Sequence, residues 1–270
     1  MNKAKAKAPL ALTPPQRLPA AARKAAVAGV SAVKSRAIAA SEPVAPKVKR
    51  GKTARPLAPE RIAAILDALR KTYPNVVCAL THRNAFELTI ATILSAQTTD
   101  VGVNKATPAL FKAFPTPKAL ASASLAEIEP LIKTTGFYRA KAKNIQGAAR
   151  VLVEKFGGKV PETVEEMIQL PGVARKTANV VLGSWFGIPS GVVVDTHVLR
   201  LSRRLELTKQ TDPVKVEQDL IKIIPQDRWI QFSHELIHHG RQVCIARKPR
   251  CVDCSLETLC NSADKTWSSH

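Results

Sequence analysis

Apolar residues recur every three or four positions along most of this chain, the period of one buried helix face. Ile62, Ile65, Leu66 and Leu69 form such a stripe after Pro59, and it ends at Pro74. Phe86, Ile90, Ile93 and Leu94 predict a second helix, with Asn84 placed to cap it. A third is predicted from Thr99 to Phe114, interrupted or bent at Pro108. Ser124 and Glu127 have capping-box spacing ahead of Ile128, Leu131 and Ile132. A long basic helix follows from Arg139 to Lys155 and stops at Gly157-Gly158. Val214 to Ile224 and Trp229 to Val243 are helical again, separated by Pro225. Val192-Val193-Val194 is the one short strand candidate, so the expected class is all-α.

One stretch, Val164 to His197, carries more than a packing pattern. It reads as a helix, a tight turn, a second helix, and an acid after a β-branched run. Pro171 and Gly172 break the first helix; the second resumes from Arg175 to Phe186 with Ala178, Val181, Leu182 and Trp185 on one face. The turn Leu170-Pro171-Gly172-Val173-Ala174-Arg175-Lys176 ends in two cations at a helix start, where the helix dipole disfavours positive charge. Backbone N–H groups at such a turn make an anion site that phosphate can occupy. An ordinary lysine has a pKa near ~10.4 and almost no free amine at neutral pH. Desolvation and a helix N-terminus lower that value, making Lys176 a candidate nucleophile. Asp195 would oppose this if it paired directly with Lys176; its expected role is to stabilise developing positive charge on a sugar or to move protons. The plain alternative is an αα-hairpin with a surface lysine. Against it stand the double cation, the small Thr177 and Ala178, and the downstream acid. A weaker echo runs from Ile128 to Arg139, again helix, glycine turn and basic helix.

Composition narrows the partner. The 270 residues carry a formal net charge of +20, which points to a polyanion, most simply nucleic acid. Aromatics at 4% argue against an RNA-stacking platform. Residues 1–57 hold 13 Lys/Arg and one acid, Glu42, with repeated Ala and Pro, and read as a disordered basic arm. Such an arm suits a non-specific DNA tether; a solvating tail and an organelle transit peptide are the alternatives. Gly183, Gly187, Pro189 and Gly191 interrupt the longest apolar candidate for a membrane span, and no secretory pattern opens the chain. A soluble, intracellular protein is expected.

Four of the five cysteines are crowded as Cys244-x6-Cys251-x2-Cys254-x5-Cys260, which suits a metal or iron–sulfur site better than disulfides. Structural zinc more often uses two close C-x2-C pairs, and only one is present, so the spacing favours a cubane iron–sulfur cluster. The loop between the first two carries Arg247, Lys248 and Arg250, either a phosphate contact or a solvated loop. His234-Glu235-Leu236-Ile237-His238 matches the H-E-x-x-H zinc-peptidase pattern. It lacks a third ligand of the expected spacing and is read as coincidence. Cys78 is expected to be core or inert.

Together Leu94-Ser95-Ala96-Gln97-Thr98-Thr99-Asp100, the hairpin, Val194-Asp195-Thr196-His197 and the cysteine spacing resemble the iron–sulfur branch of the helix-hairpin-helix DNA glycosylase superfamily, from about Pro59 to Cys260. The resemblance implies two helical lobes with a DNA cleft between them: a barrel lobe over 78–190, and an iron–sulfur lobe joining 58–77 to 191–270. It implies that Lys176 attacks C1′ of a damaged nucleotide, that Asp195 is the catalytic carboxylate, and that Gln97 fills the hole left by the extruded base. Phe137 stands where the family usually has an aliphatic wedge. Leu170, Gly172, Ala174, Arg175, His197, Arg247 and Lys248 become expected DNA contacts, and the four cysteines become [4Fe–4S] ligands. The implied activity is a bifunctional glycosylase/AP lyase, a monomer acting on double-stranded DNA with oxidised pyrimidines or abasic sites. A monofunctional adenine glycosylase is the alternative, disfavoured by Lys176 and by a chain that stops ten residues after Cys260. A non-catalytic iron–sulfur DNA-binding protein is another. The family hairpin usually has Gly where this chain has Ala174; if that position needs positive φ, alanine strains it.

Overall fold

The computed structural model describes residues 57–269; the basic arm read over 1–57 lies, apart from Leu57, outside the described residues. Among the described residues there are eleven α-helices and no strand. They are α1 (Pro59–Thr72), α2 (Ala85–Leu94), α3 (Asp100–Ala113), α4 (Pro117–Ser122), α5 (Leu125–Ile132), α6 (Tyr138–Phe156), α7 (Val164–Met167), α8 (Arg175–Val181), α9 (Thr196–Arg204), α10 (Pro213–Ile223) and α11 (Trp229–Gln242). None is long and apolar enough to cross a membrane.

Their buried faces converge on two hydrophobic cores. One gathers residues from Leu80 to Leu182, on α2 to α8. The other joins α1 to Val192, Val194, the faces of α9 to α11, and Leu256. Helix α2 lies at the centre of the first: every residue from Phe86 to Leu94 is buried, as expected of a helix apolar on all sides. Truncating Leu88 there to alanine costs about 2–5 kcal/mol. Asn84 caps α2 by accepting from the Glu87 amide at 2.8 Å, and Ser124 and Glu127 form the expected capping box of α5. Helix α6 ends at Gly157, in the left-handed region.

The sequence pattern is corrected in several places. Helix α3 runs through Pro108 without interruption. Val103, Ala106, Leu110 and Phe111 are buried on both sides of the proline. At roughly 1.5–3 kcal/mol for each large apolar side chain, their burial outweighs the roughly 3 kcal/mol of one proline. The first helix of the hairpin, α7, is a single turn. Val192 to Val194 are buried but unpaired with any strand; the Val193 amide donates instead to Ser233 Oγ at 3.0 Å. Helix α8 passes into a π-turn, Leu182–Phe186, whose wider coil carries Trp185 off the buried face to 42% exposure. Helices α4 and α9 were not anticipated, although Thr116 and Asp195 cap them with ordinary side-chain bonds.

Candidate functional site

The hairpin turn is fixed from below. Leu170 is only 2% exposed, and its carbonyl accepts from the Val173 amide at 3.0 Å. The Leu170 side chain is therefore core, which leaves only its main chain for the DNA contact expected of it. Gly172 has φ +79°, and a Cβ there would lie 3.0 Å from Asn144 Cβ and 3.1 Å from Ile93 Cγ2. Glycine is required twice over, for conformation and for space. Ala174 has φ −95° and ψ 170°, extended backbone open to any residue, so the strain expected there is absent. Among the described residues the amides of Gly172 and Ala174 have no protein acceptor.

The two cations after the turn are treated differently. Arg175 Nε donates to both oxygens of Glu217 on α10, at 3.2 and 3.1 Å. Glu217 also accepts from Asn179 Nδ2 at 2.9 Å, and Asn179 Oδ1 from Ser190 Oγ at 2.9 Å. Arg175 thus ties the hairpin to the second core and is engaged before any DNA arrives. Lys176 is exposed and, among the described residues, has no ion pair. The desolvation expected for it does not come from the protein alone.

Asp195 caps α9. Its Oδ1 accepts from the His197 and Val198 amides, both at 2.8 Å, while Oδ2 has no partner among the described residues. No bond joins it to Lys176, as the chemistry of a reactive amine asks. His197 is half-buried; burial holds its imidazole below the usual value against the pull of Asp195. Arg200, which sequence reasoning missed, sits 3.3 Å from His197 Nδ1 and donates to the carbonyls of Gly240 and Cys244 at 2.9 Å each. It links the Asp195 helix to the cysteine segment. The ion pair of Arg241 on α11 with Asp100 on α3, at 2.7 Å, joins helices of the two cores, as Arg175 to Glu217 does.

Gln97 and Phe137 occupy two exposed turns, and both have left-handed backbone, φ +54° and +47°. Phe137 is 70% exposed. Large side chains in this region are uncommon and cluster where a turn has a task.

Cys244, Cys251, Cys254 and Cys260 line one cavity of about 30 Å³, with Arg204 and Pro249 in its wall. Burial and the three neighbouring thiols push Cys254 up to about 12. Four thiolates cannot share such a space without a cation among them. Among the described residues no three His, Cys, Asp or Glu are grouped to hold a single metal ion; the thiols surround a space instead. Arg204 Nη1 lies 3.2 Å from Cys244 Sγ and donates to the Ile245 carbonyl at 2.8 Å. Arg247 and Lys248 are exposed on this loop, while Arg250 is paired with Asp253 at 2.8 Å. The H-E-x-x-H residues diverge: His234 is 3.3 Å from Ser184 Oγ, Glu235 is wholly buried against Arg228, and His238 meets the edge of Tyr73. Cys78 is half-buried, and burial pushes its thiol up.

Comparison with known proteins gives a consistent set of likenesses. Residues 90–226 match the model of the HhH-GPD superfamily base excision DNA repair proteins. Endonuclease III of Synechocystis sp. is 58% identical over 76% of this chain and 93% of its own length. Endonuclease III of Escherichia coli is 44% identical over 74% of this chain and 95% of its own. A solved non-covalent complex of an endonuclease III with DNA superposes with a TM-score of 0.72 at 45% identity, covering 76% of this chain and 96% of that one.

Proposed function

The chain belongs to the HhH-GPD superfamily of base excision DNA repair proteins, and from that premise we propose how its residues divide the work. It is a DNA glycosylase with AP lyase activity, and the proposed substrate is an oxidised pyrimidine in double-stranded DNA, met by a monomer. The observation that carries the reading is an exposed Lys176, without an ion pair among the described residues, directly after a packed turn whose amides of Gly172 and Ala174 have no acceptor there. Those amides receive a phosphate, and the DNA supplies the desolvation that the free protein lacks. An endonuclease III has been captured as a covalent intermediate on DNA, which is what an amine nucleophile predicts.

The target sugar is out of reach inside the stack, so the damaged nucleotide is extruded, with Gln97 and Phe137 entering the duplex. Lys176 Nζ attacks C1′, the bond from C1′ to the base breaks, and the base leaves with a proton. The sugar ring opens to an iminium on Lys176. Loss of a C2′ proton then breaks the C3′–O bond and expels the 3′ phosphate, and water hydrolyses the iminium to free the lysine. Asp195, held by Oδ1 with Oδ2 unengaged, stabilises positive charge on the sugar or moves these protons.

The four-cysteine donor set fits a [4Fe–4S] cluster. When bound, its least demanding role is structural, replacing repulsion among thiolates with metal–sulfur bonds. Arg204 and Arg200 then connect that centre to the Arg247–Lys248 loop and to α9, where Arg247 and Lys248 face phosphate. The protein is proposed to act in the cytoplasm.

The test is incubation with a duplex bearing one oxidised pyrimidine, following released base and nicked strand separately. Both are expected, with the nick 3′ to the lesion. Binding without base release would favour a non-catalytic DNA-binding protein, and release of adenine alone the monofunctional alternative. Purified protein is expected to be brown, with iron and sulfide near four of each per chain.

A further inference from the structure

Lys141 is a cation with an unusual address. It lies on α6, is only 4% exposed, and among the described residues pairs with no carboxylate. Its Nζ donates to Thr98 Oγ1 at 2.7 Å and to the Thr135 carbonyl at 2.7 Å. Thr98 Oγ1 in turn donates to the same Thr135 carbonyl, closing a three-membered ring of hydrogen bonds. Burial holds the Lys141 amine below its ordinary value. An ammonium buried without a counter-charge costs stability, and an apolar side chain of similar length would fill the space more cheaply.

The ring's position explains what this cost accompanies. Thr98 follows Gln97, and Thr135 precedes Gly136 and Phe137. The Gln97 and Phe137 turns each carry a left-handed, exposed side chain; they are joined through Thr98 and Thr135, 37 residues apart in sequence, and meet at one amine. We propose that Lys141 is a positioning residue for base extrusion: it locks the Gln97 and Phe137 turns to each other so that both side chains enter the duplex together. The inference rests on the glycosylase reading and names a residue that touches neither DNA nor the reacting atoms. Loosening the ring lets each turn move alone. The loss falls on the step in which the duplex must be opened, because misplacement of even about 1 Å is costly there.

The experiment compares two DNA substrates under single-turnover conditions, using the cluster-containing protein. In one the oxidised pyrimidine is paired within a duplex; in the other it sits in an unpaired bulge, where most of the cost of extrusion is already met. Lys141→Met and Thr98→Val are each expected to slow base release about tenfold or more on the paired lesion and by less than about threefold on the bulge. Thr98→Ser, which keeps the hydroxyl, is expected to behave as wild type. A 2-aminopurine opposite the lesion reports insertion directly, and its fluorescence rise is expected to be slowed in the same two variants. If Lys141→Met does not fold, Thr98→Val decides alone. Equal losses on both substrates would assign the ring to general stability, and no loss on either would remove its role; both overturn the proposal. A wild-type protein that releases base from neither substrate overturns the glycosylase reading instead, and this inference with it.

Discussion

Two turns in the first lobe follow one plan and end differently. The turn between α7 and α8 and the turn between α5 and α6 each contain a glycine at positive φ, Gly172 at +79° and Gly136 at +68°. Around Gly172 the space is full, with Asn144 and Ile93 in contact range of any added carbon; a carbon added at Gly136 would meet nothing within 4 Å beyond its own chain neighbours. The first turn is packed and presents backbone amides and a lysine. The second is open and projects a large side chain, Phe137. The contrast shows how one local plan serves two demands. The lysine proposed to attack the sugar stands on a turn braced from beneath, by the core and by Glu217. The side chain proposed to enter the duplex stands on an open turn tied at its root to Thr98 and Lys141.

The largest expected effect comes from removing what the packed turn presents. Lys176→Ala is expected to lower base release by about a thousandfold or more in single-turnover assays, with DNA affinity within about threefold, because the amine acts in bond-making. Next is the packing. Gly172→Ala forces a side chain into left-handed backbone and into Asn144, and is expected to weaken DNA binding about tenfold and to lower Tm by several degrees. Gly136→Ala meets the conformational penalty alone, so its Tm should fall by clearly less; an equal fall would erase the distinction between the turns. Phe137→Ala removes an exposed side chain, so thermal stability should hold within about 0.5 kcal/mol while base release slows several-fold. Smallest of all is Ala174→Gly. With ordinary extended backbone at that position, DNA affinity is expected to change less than about twofold and stability by under 1 kcal/mol. A marked gain in affinity would mean the bound hairpin needs positive φ there.

The reach of the sequence differs between these same regions. The all-α class and most helix bounds follow from period and capping residues such as Asn84 and Ser124, because those signals are local. The Lys176 turn was legible for a similar reason: Pro171, Gly172 and two cations are consecutive. What stayed hidden depends on partners distant in sequence. Nothing near Ala174 in sequence states its φ. The engagement of Arg175 by Glu217 spans 42 residues, and that of Arg200 with Cys244 spans 44. Lys141 looked like one more base on a basic helix until its burial appeared. Trp185 leaves the buried face because a π-turn breaks the 3.6-residue period there. Asp195 was noticed as an acid but not as a helix cap, although an Asp before a Thr-His-Val start is an ordinary N-cap signal.

In the proposed reaction the exposed lysine of the packed turn becomes covalently joined to DNA. Borohydride reduction during reaction with a duplex carrying an abasic site tests it most directly, read by gel shift and by mass spectrometry of the cross-linked peptide. A stable adduct on Lys176 is expected in the wild-type protein and none in Lys176→Ala. Absence of an adduct from wild type, or an undiminished one from Lys176→Ala, would contradict it.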